Sequence, residues 1–271
     1  MYQDVYKEQI TFDIFDKVFH GKFVSMLQEY DFSLNTIGKH VKNLKVFLNS
    51  AVEDGLCTNL KFKGKDFKSK TEETTAIYLS LDEINSMHHL DLSHKKHLEL
   101  ARDIFLIGCY TGQRISDYNG LKANSIKIIR KIKFIQIVQK KTKTIVSVPL
   151  SKEALEILDL RYDGLPPPKM PSQNLNDYIK EVGKLLKLDE LIECKRTKGG
   201  VEIFENIPKY LLLHSHTARR SFCTNMYKEG MPVIDIMLFS GHKTEREFYK
   251  YIRIKGEERA LHVANLGFFN I

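Results

Sequence analysis

The sequence predicts a mostly α-helical protein with one small antiparallel β-sheet, arranged as a small helical N-terminal domain followed by a larger α+β domain. Three observations predict it. Helical spacing dominates, as where Leu34, Ile37, Val41, Leu44, Phe47 and Leu48 fall on one face. Period-two alternation appears in "KIKFIQIVQ" (Lys131 to Gln139) and "TIVSVPL" (Thr144 to Leu150), both rich in β-branched residues, which read as paired strands. Between the two domains lies "KFKGKDFKSK" (Lys61 to Lys70), with five lysines in ten residues and little periodicity, which reads as an exposed linker. The expected boundaries are 1–60 for the first domain, 61–78 for the linker and 79–271 for the second.

The elements follow in order. Ser33 or Asn35 caps the first clear helix and Gly55 ends it. Its other face carries Lys39, His40, Lys42 and Lys45, a solvated face or, with the adjoining lysines, a polyanion-facing one. Ser80-Leu81-Asp82-Glu83 is a capping box that opens the next helix. An apolar helix over Leu98 to Tyr110 stops near Gly112. The two strands enclose a basic hairpin tip, Lys140-Lys141-Thr142-Lys143. "DGLPPPKMPS" is a rigid loop, "NLNDYIKEVGKLLKL" is helical, and "RTKGGVEI" is a loop or hairpin. Helices are expected from Thr217 to Glu229, from Pro232 to Phe239 and from Thr244 to about Tyr251. Thr244-Glu245-Arg246-Glu247 forms a second capping box.

Composition narrows the function. Lys plus Arg exceed Asp plus Glu by 42 − 34 = 8, which favours DNA, RNA or an acidic membrane surface as partner. The cysteines Cys57, Cys109, Cys194 and Cys223 have no metal-ligand spacing and read as buried reduced thiols of a cytosolic protein. No apolar run approaches a membrane span and the N-terminus has no signal-peptide pattern, so a cytoplasmic protein is expected. No carboxylate cluster suits Mg²⁺, and neither a Walker A nor a GxGxxG pattern occurs, so no metal and no nucleotide cofactor is expected.

Three stretches can carry chemistry. "TGQRISD" presents Arg114 just past a helix stop. "HSHTARRSF" sets His216 and Arg219 at a helix start, with Thr217 as the expected N-cap, where free N–H groups attract anions. "GHKTEREFYKY" follows His242 with Tyr249 and Tyr251. At about 100° per residue these tyrosines point to nearly opposite faces of a helix. Taken singly, each stretch has an ordinary structural explanation: an ion-pair arginine, a chance His-x-x-Arg, a glycine helix end, a packed tyrosine.

Taken in order, Arg114, Lys141, His216-x-x-Arg219, Gly241-His242 and a tyrosine nine residues later resemble the tyrosine recombinase family of phage-type integrases. The stretch "HTARRSFCTNMYKEGMPVIDIMLFSGHKTEREFYKYI" is most similar to conjugative transposon integrases. The resemblance implies a helical core-binding domain and a catalytic domain that clamp a DNA duplex. It makes Tyr251 the nucleophile, with Tyr249 left to packing or display. Arg114 and Arg219 would grip the non-bridging phosphate oxygens, His242 would add a hydrogen bond there, and His216 is the candidate base. A lysine of the hairpin tip would be the general acid. Counting back from "VPL" selects Lys141, with Lys140 and Lys143 as the alternatives. Asp117 would have a structural role beside Arg114. DNA contacts are expected from Lys39, Lys42, Lys45, Lys61, Lys63, Lys65, Lys68, Lys140 and Lys143.

The family also implies a covalent 3′-phosphotyrosine without metal or ATP, a tetramer on two duplexes, accessory DNA-bending proteins, no membrane, and a bacterial cytoplasmic setting on a mobile element. The opening "MYQDVYKEQITFDIFDKV" already resembles the core-binding domain, which implies either a shortened chain or a naturally short member. The tail after Tyr251 would dock on its own domain or on a neighbouring subunit. Two further readings share the fold: a type IB topoisomerase-like DNA relaxer and a catalytically silent DNA-binding regulator.

Overall fold

The computed structural model describes residues 1–252 and 256–264. The chain forms two compact units: Met1–Thr75 with Glu193–Asn206, and Ala76–Ile192 with Ile207–Ile271.

Unit 1 holds helices α1 (Tyr2–Tyr6), α2 (Lys17–Glu29) and α3 (Leu34–Glu53). Asp16 caps α2 by accepting from the N–H groups of Val18 and Phe19, and Ser33 caps α3 by accepting from Thr36. Such side chains satisfy N–H groups that have no partner within the helix. Phe15, Phe19, Met26, Leu27, Ile37, Val41 and Leu48 form the core. Phe47, expected on that face, is 74% exposed. At 100° per residue it sits roughly 90° from the centre of the buried stripe.

The expected linker is not a free strap. Lys61–Lys63 form a 3₁₀ turn, and Phe62 and Phe67 are fully buried in the unit 1 core. Phe67 stacks on Phe19 with centroids 6.4 Å apart and planes within 3°. Asn35 pairs with the Glu72 backbone in both directions, at 3.1 and 3.0 Å. Two phenylalanines spaced among the lysines supply the apolar burial that anchors the segment. Lys61, Lys63, Lys65, Lys68 and Lys70 remain exposed, as do Lys39 and Lys42. Lys45 instead donates to the Phe67 carbonyl at 3.0 Å and lies over that ring.

The "RTKGGVEI" region is a hairpin of β4 (Leu191–Lys198) and β5 (Val201–Pro208). Within unit 1 its Thr197 donates from both N and Oγ1 to the Glu72 carboxylate, at 3.0 and 2.6 Å.

Unit 2 begins with α4 (Leu81–His89), whose Ser80–Glu83 capping box is formed as the sequence predicts. Helix α5 (Lys96–Thr111) is its spine and packs against α8 (Ser172–Leu185) and α9 (Ser215–Lys228). Buried Asp103 on α5 accepts from Arg102, from Arg161 on α7 (Lys152–Arg161) and from Tyr162, which pins α7 to the spine. The sheet has order β1 (Ile126–Ile129), β2 (Ile132–Val138), β3 (Ile145–Pro149), all antiparallel, with Ile135 opposite Val148. Strand β1 was not expected: "IKII" does not alternate, and three of its four residues are exposed. Short helices α6 (Ile115–Tyr118), α10 (Val233–Ser240), α11 (Glu245–Tyr249) and α12 (Gly256–Val263) complete the unit. The tail expected after Tyr251 is described at Ile252 and over 256–264, where α12 lies; residues 253–255 and 265–271 are outside the described ones. All four cysteines are free and buried.

Phe67→Ala is expected to destabilise the protein by about 3–5 kcal/mol, and Lys65→Ala by less than about 0.5 kcal/mol. Urea unfolding of the two variants checks this. Equal, small effects would mean that residues 61–70 are not anchored.

Candidate active site

The site gathers at the ends of four helices of unit 2. Helix α5 ends on Gly112 in the left-handed conformation (φ 66°). A Cβ there would also lie 2.3 Å from the Phe222 ring, so both backbone and space demand glycine. This stop releases Arg114, which is the N-cap residue of α6, and its Nη1 donates to Gln139 Oε1 at 3.1 Å.

Helix α9 is capped by His214, whose Nδ1 accepts from the His216 N–H at 3.1 Å. The expected cap, Thr217, sits one turn later and closes the box by accepting from the His214 N–H at 3.2 Å. His216 stays in the first turn and is exposed; Arg219 is fully buried. Arg219 Nη1 donates to the carbonyls of Gly112 (2.7 Å) and Ser240 (2.5 Å), and Nη2 donates to His242 Nε2 (2.9 Å). Its buried Nε has no partner among the described residues.

Helix α10 ends on Gly241, again left-handed at φ 71°, which turns the chain so that His242 faces Arg219. Since the guanidinium can only donate, His242 Nε2 accepts. The ring proton therefore sits on Nδ1 and is donated to Ser240 Oγ at 2.8 Å, and that hydroxyl donates to the Ile236 carbonyl. Burial, with the charges of Arg219 and Arg114, depresses His242 to about 3. His242 is thus a neutral acceptor here, and its expected hydrogen bond to a phosphate is not available from this tautomer. His216 is also held below its ordinary value. Desolvation of the ring is the first cause, followed by the cations Arg220, Arg219, Arg114 and Lys141. Both imidazoles are therefore neutral at pH 7.

Helix α11 ends at Tyr249, short of the expected Tyr251, because only one turn separates its Thr244 cap from the buried anchor Phe248. Tyr251 lies just past the helix. Its ring centroid is 4.7 Å from that of His242, and the Arg219 guanidinium carbon lies 5.3 Å from the ring centre. Thr224 on α9 donates to its carbonyl at 3.2 Å. Tyr249 faces away, 39% exposed, with its ring edge-on to Tyr227 at 6.5 Å. Of the two tyrosines, Tyr251 is the one the fold brings to His242 and Arg219.

The hairpin tip joins from β2 and β3. Lys140 lines a separate cavity with Ser116, Asp117 and Lys122, whereas the Lys141 charge is felt at His216. Lys143 holds a left-handed backbone at φ 58°. Asp117 is buried, and its Oδ1 accepts from the Lys140 N–H at 2.9 Å, so it ties down the hairpin rather than Arg114. The sequence reasoning missed Gln113, Gln139 and Ser240, all buried and all bonded into the site. No spacing rule marks a buried amide, and only its partners reveal it. Among the described residues no group of three or more His, Cys, Asp or Glu is placed to hold a metal ion, and no helix is long and apolar enough to cross a membrane.

The chain is similar to known proteins in sequence and in fold. The sequence model described as "Phage integrase family" matches residues 78–258, and the "Phage integrase SAM-like domain" matches residues 2–71. No curated protein sequence matches the chain. The fold is similar to that of the Tn1549 transposon integrase in complex with transposon right end DNA, at 14% identity and TM-score 0.68, covering 98% of this chain and 90% of that one. It is similar to a lambda integrase dimer bound to a COC′ core site (17%, TM-score 0.64, 95% and 88%). It is also similar to the XerH site-specific recombinase bound to a palindromic difH substrate (16%, TM-score 0.63, 97% and 75%).

A histidine near 6.5 when unfolded but near 3 when folded binds its proton less readily in the native state. Its contribution is present above 6.5 and is lost as pH falls from there towards 3. The unfolding free energy is expected to drop between pH 6.5 and 4, with a shallower drop in His242→Gln. Identical pH slopes in wild type and variant would show that His242 is not a buried neutral imidazole.

Proposed function

The chain belongs to the phage integrase family, the tyrosine site-specific recombinases, and on that footing we propose that it cleaves and rejoins duplex DNA through a covalent 3′-phosphotyrosine at Tyr251. The observation that carries this reading is the convergence of Tyr251, His242 and Arg219, with the Arg219 guanidinium over the tyrosine ring.

Phosphoryl transfer needs positioning and charge stabilisation above all. Among the described residues nothing partners the buried Arg219 Nε, and Arg114 presents a second guanidinium. Together they suit the non-bridging oxygens of a phosphodiester. Tyr251 Oη attacks phosphorus and the bond to the 5′-oxygen breaks. Neutral His216 takes the phenol proton, and the Lys141 ammonium gives a proton to the departing 5′-oxygen. Return attack by a 5′-hydroxyl, from the same or a partner strand, restores the phosphodiester and frees the tyrosine. The phosphotyrosine conserves the bond energy, so the cycle calls on neither ATP nor metal. The role of His242 is to aim Arg219.

DNA as substrate is supported by the similarity to proteins solved on transposon-end, core-site and difH DNA. Unit 1, with exposed Lys39, Lys42, Lys61, Lys63, Lys65 and Lys68, supplies the core-binding arm, and Lys140 and Lys143 extend the basic surface beside the site. Phosphate contacts of this kind give affinity without sequence choice. A tetramer on two duplexes, mobile-element integration or excision in a bacterial cytoplasm, and help from DNA-bending proteins complete the reading.

Duplexes from a randomised pool, incubated with the protein in EDTA and recovered from denaturing gels as protein–DNA adducts, test it. Adducts are expected from wild type and Tyr249→Phe but not from Tyr251→Phe. Loss in Tyr249→Phe alone would assign the nucleophile to the other tyrosine. DNA binding without any adduct would favour the silent regulator. Adducts with relaxation of supercoils, but no joining of two duplexes, would favour the topoisomerase-like relaxer.

A further inference from the structure

Gln139 is fully buried at the first position after β2, where the hairpin tip begins. Its backbone closes the tip through bonds with Thr144 and Lys143. Its side chain uses every bond an amide has. Oε1 accepts from Arg114 Nη1 at 3.1 Å and from Thr142 Oγ1 at 2.7 Å. Nε2 donates to Gln113 Oε1 at 2.8 Å and to the Ser240 carbonyl at 2.9 Å. A flipped amide would set oxygen against two oxygens and nitrogen against the Arg114 donor, so one orientation is enforced. Gly241 presses on it as well: a Cβ there would stand 2.2 Å from Oε1.

These partners are not a random sample of the core. Arg114 is a candidate phosphate ligand. Thr142 adjoins Lys141, the candidate acid. The Ser240 carbonyl also accepts from Arg219, the second candidate phosphate ligand, and Ser240 Oγ holds the His242 ring. A single amide therefore joins the groups that must meet one phosphate. An apolar core residue of the same length would fill the space without a polar group to satisfy, so bulk alone does not account for it.

We propose that Gln139 is a positioning residue for strand cleavage: through its amide it fixes Arg114 relative to Arg219 and sets the hairpin tip that presents Lys141. Gln113 is its keeper, since the Gln113 amide nitrogen is committed to the Thr111 and Phe239 carbonyls and only its oxygen is left for Gln139. The inference rests on the cleavage reading above, and wild type run in every gel separates the two: without a wild-type adduct it is that reading that fails.

The test is single-turnover cleavage of a nicked duplex chosen from the captured pool. Gln139→Met keeps the length and removes the bonds. Its cleavage is expected to fall about 10- to 100-fold, the scale of a small misplacement of a catalytic group. DNA affinity should stay within about threefold and the thermal midpoint within a few degrees. The loss should shrink to about threefold to tenfold when measured in an Arg114→Ala background, because a misaimed guanidinium has then already been removed and only the share of the hairpin tip remains. The same loss in both backgrounds, or no loss in either, overturns the proposal. If Gln139→Met fails to fold, Thr142→Val decides. It should cleave normal DNA about threefold to tenfold more slowly and regain the wild-type rate on a duplex whose scissile 5′-oxygen is replaced by sulfur, a leaving group that needs no proton from Lys141. A loss that sulfur does not restore, or no loss at all, overturns the proposal.

Discussion

The site depends on how one buried cation is held. Arg219 has no solvent exposure, and among the described residues no carboxylate is one of its hydrogen-bond partners. A buried charge without compensation is costly. Here it is compensated by carbonyls at the C-terminal ends of α5 and α10, where the helix dipoles concentrate partial negative charge, and by an imidazole forced into the accepting tautomer. This one requirement explains why both helices end on left-handed glycines, why Ser240 precedes Gly241, and why His242 stays neutral. Dipoles do not cancel the cation as a carboxylate would. The guanidinium keeps its full charge and meets an arriving anion with little reorganisation.

The same logic separates the two histidines. His242 is fixed by bonds on both ring nitrogens and is nearly inaccessible. His216 stands exposed in the first turn of α9 with cations around it. Two neutral imidazoles near one guanidinium are therefore held differently, one as a fixed acceptor bonded to the arginine and one exposed in the first turn of α9.

Much of this was legible in the sequence, and the failures have physical reasons. Capping chemistry placed α4 and α11, and alternation placed β2 and β3, because local preference and tertiary packing agree there. Strand β1 carried no signal, since edge pairing rather than an apolar face sustains it. Residues 61–70 read as an exposed linker because lysines outweigh two phenylalanines by count, although burial of Phe62 and Phe67 anchors the segment. The ordered series from Arg114 to Tyr251 was visible because each member is a distinctive residue at a distinctive break in the chain. Gln113, Gln139 and Asp117 were not legible in their actual roles. Their significance lies in contacts with segments 20 residues or more away in sequence.

Helix α9 carries Arg219 near its start and, five residues on, Thr224, whose hydroxyl holds the carbonyl of Tyr251. At 1.5 Å per residue these two points are about 7.5 Å apart along one rigid rod. The rod acts as a gauge. Because the guanidinium is also held by the ends of α5 and α10, a shift of α9 is resisted at both points along the rod. The spacing between the arginine and the tyrosine backbone is thus set by one element rather than summed over several loops.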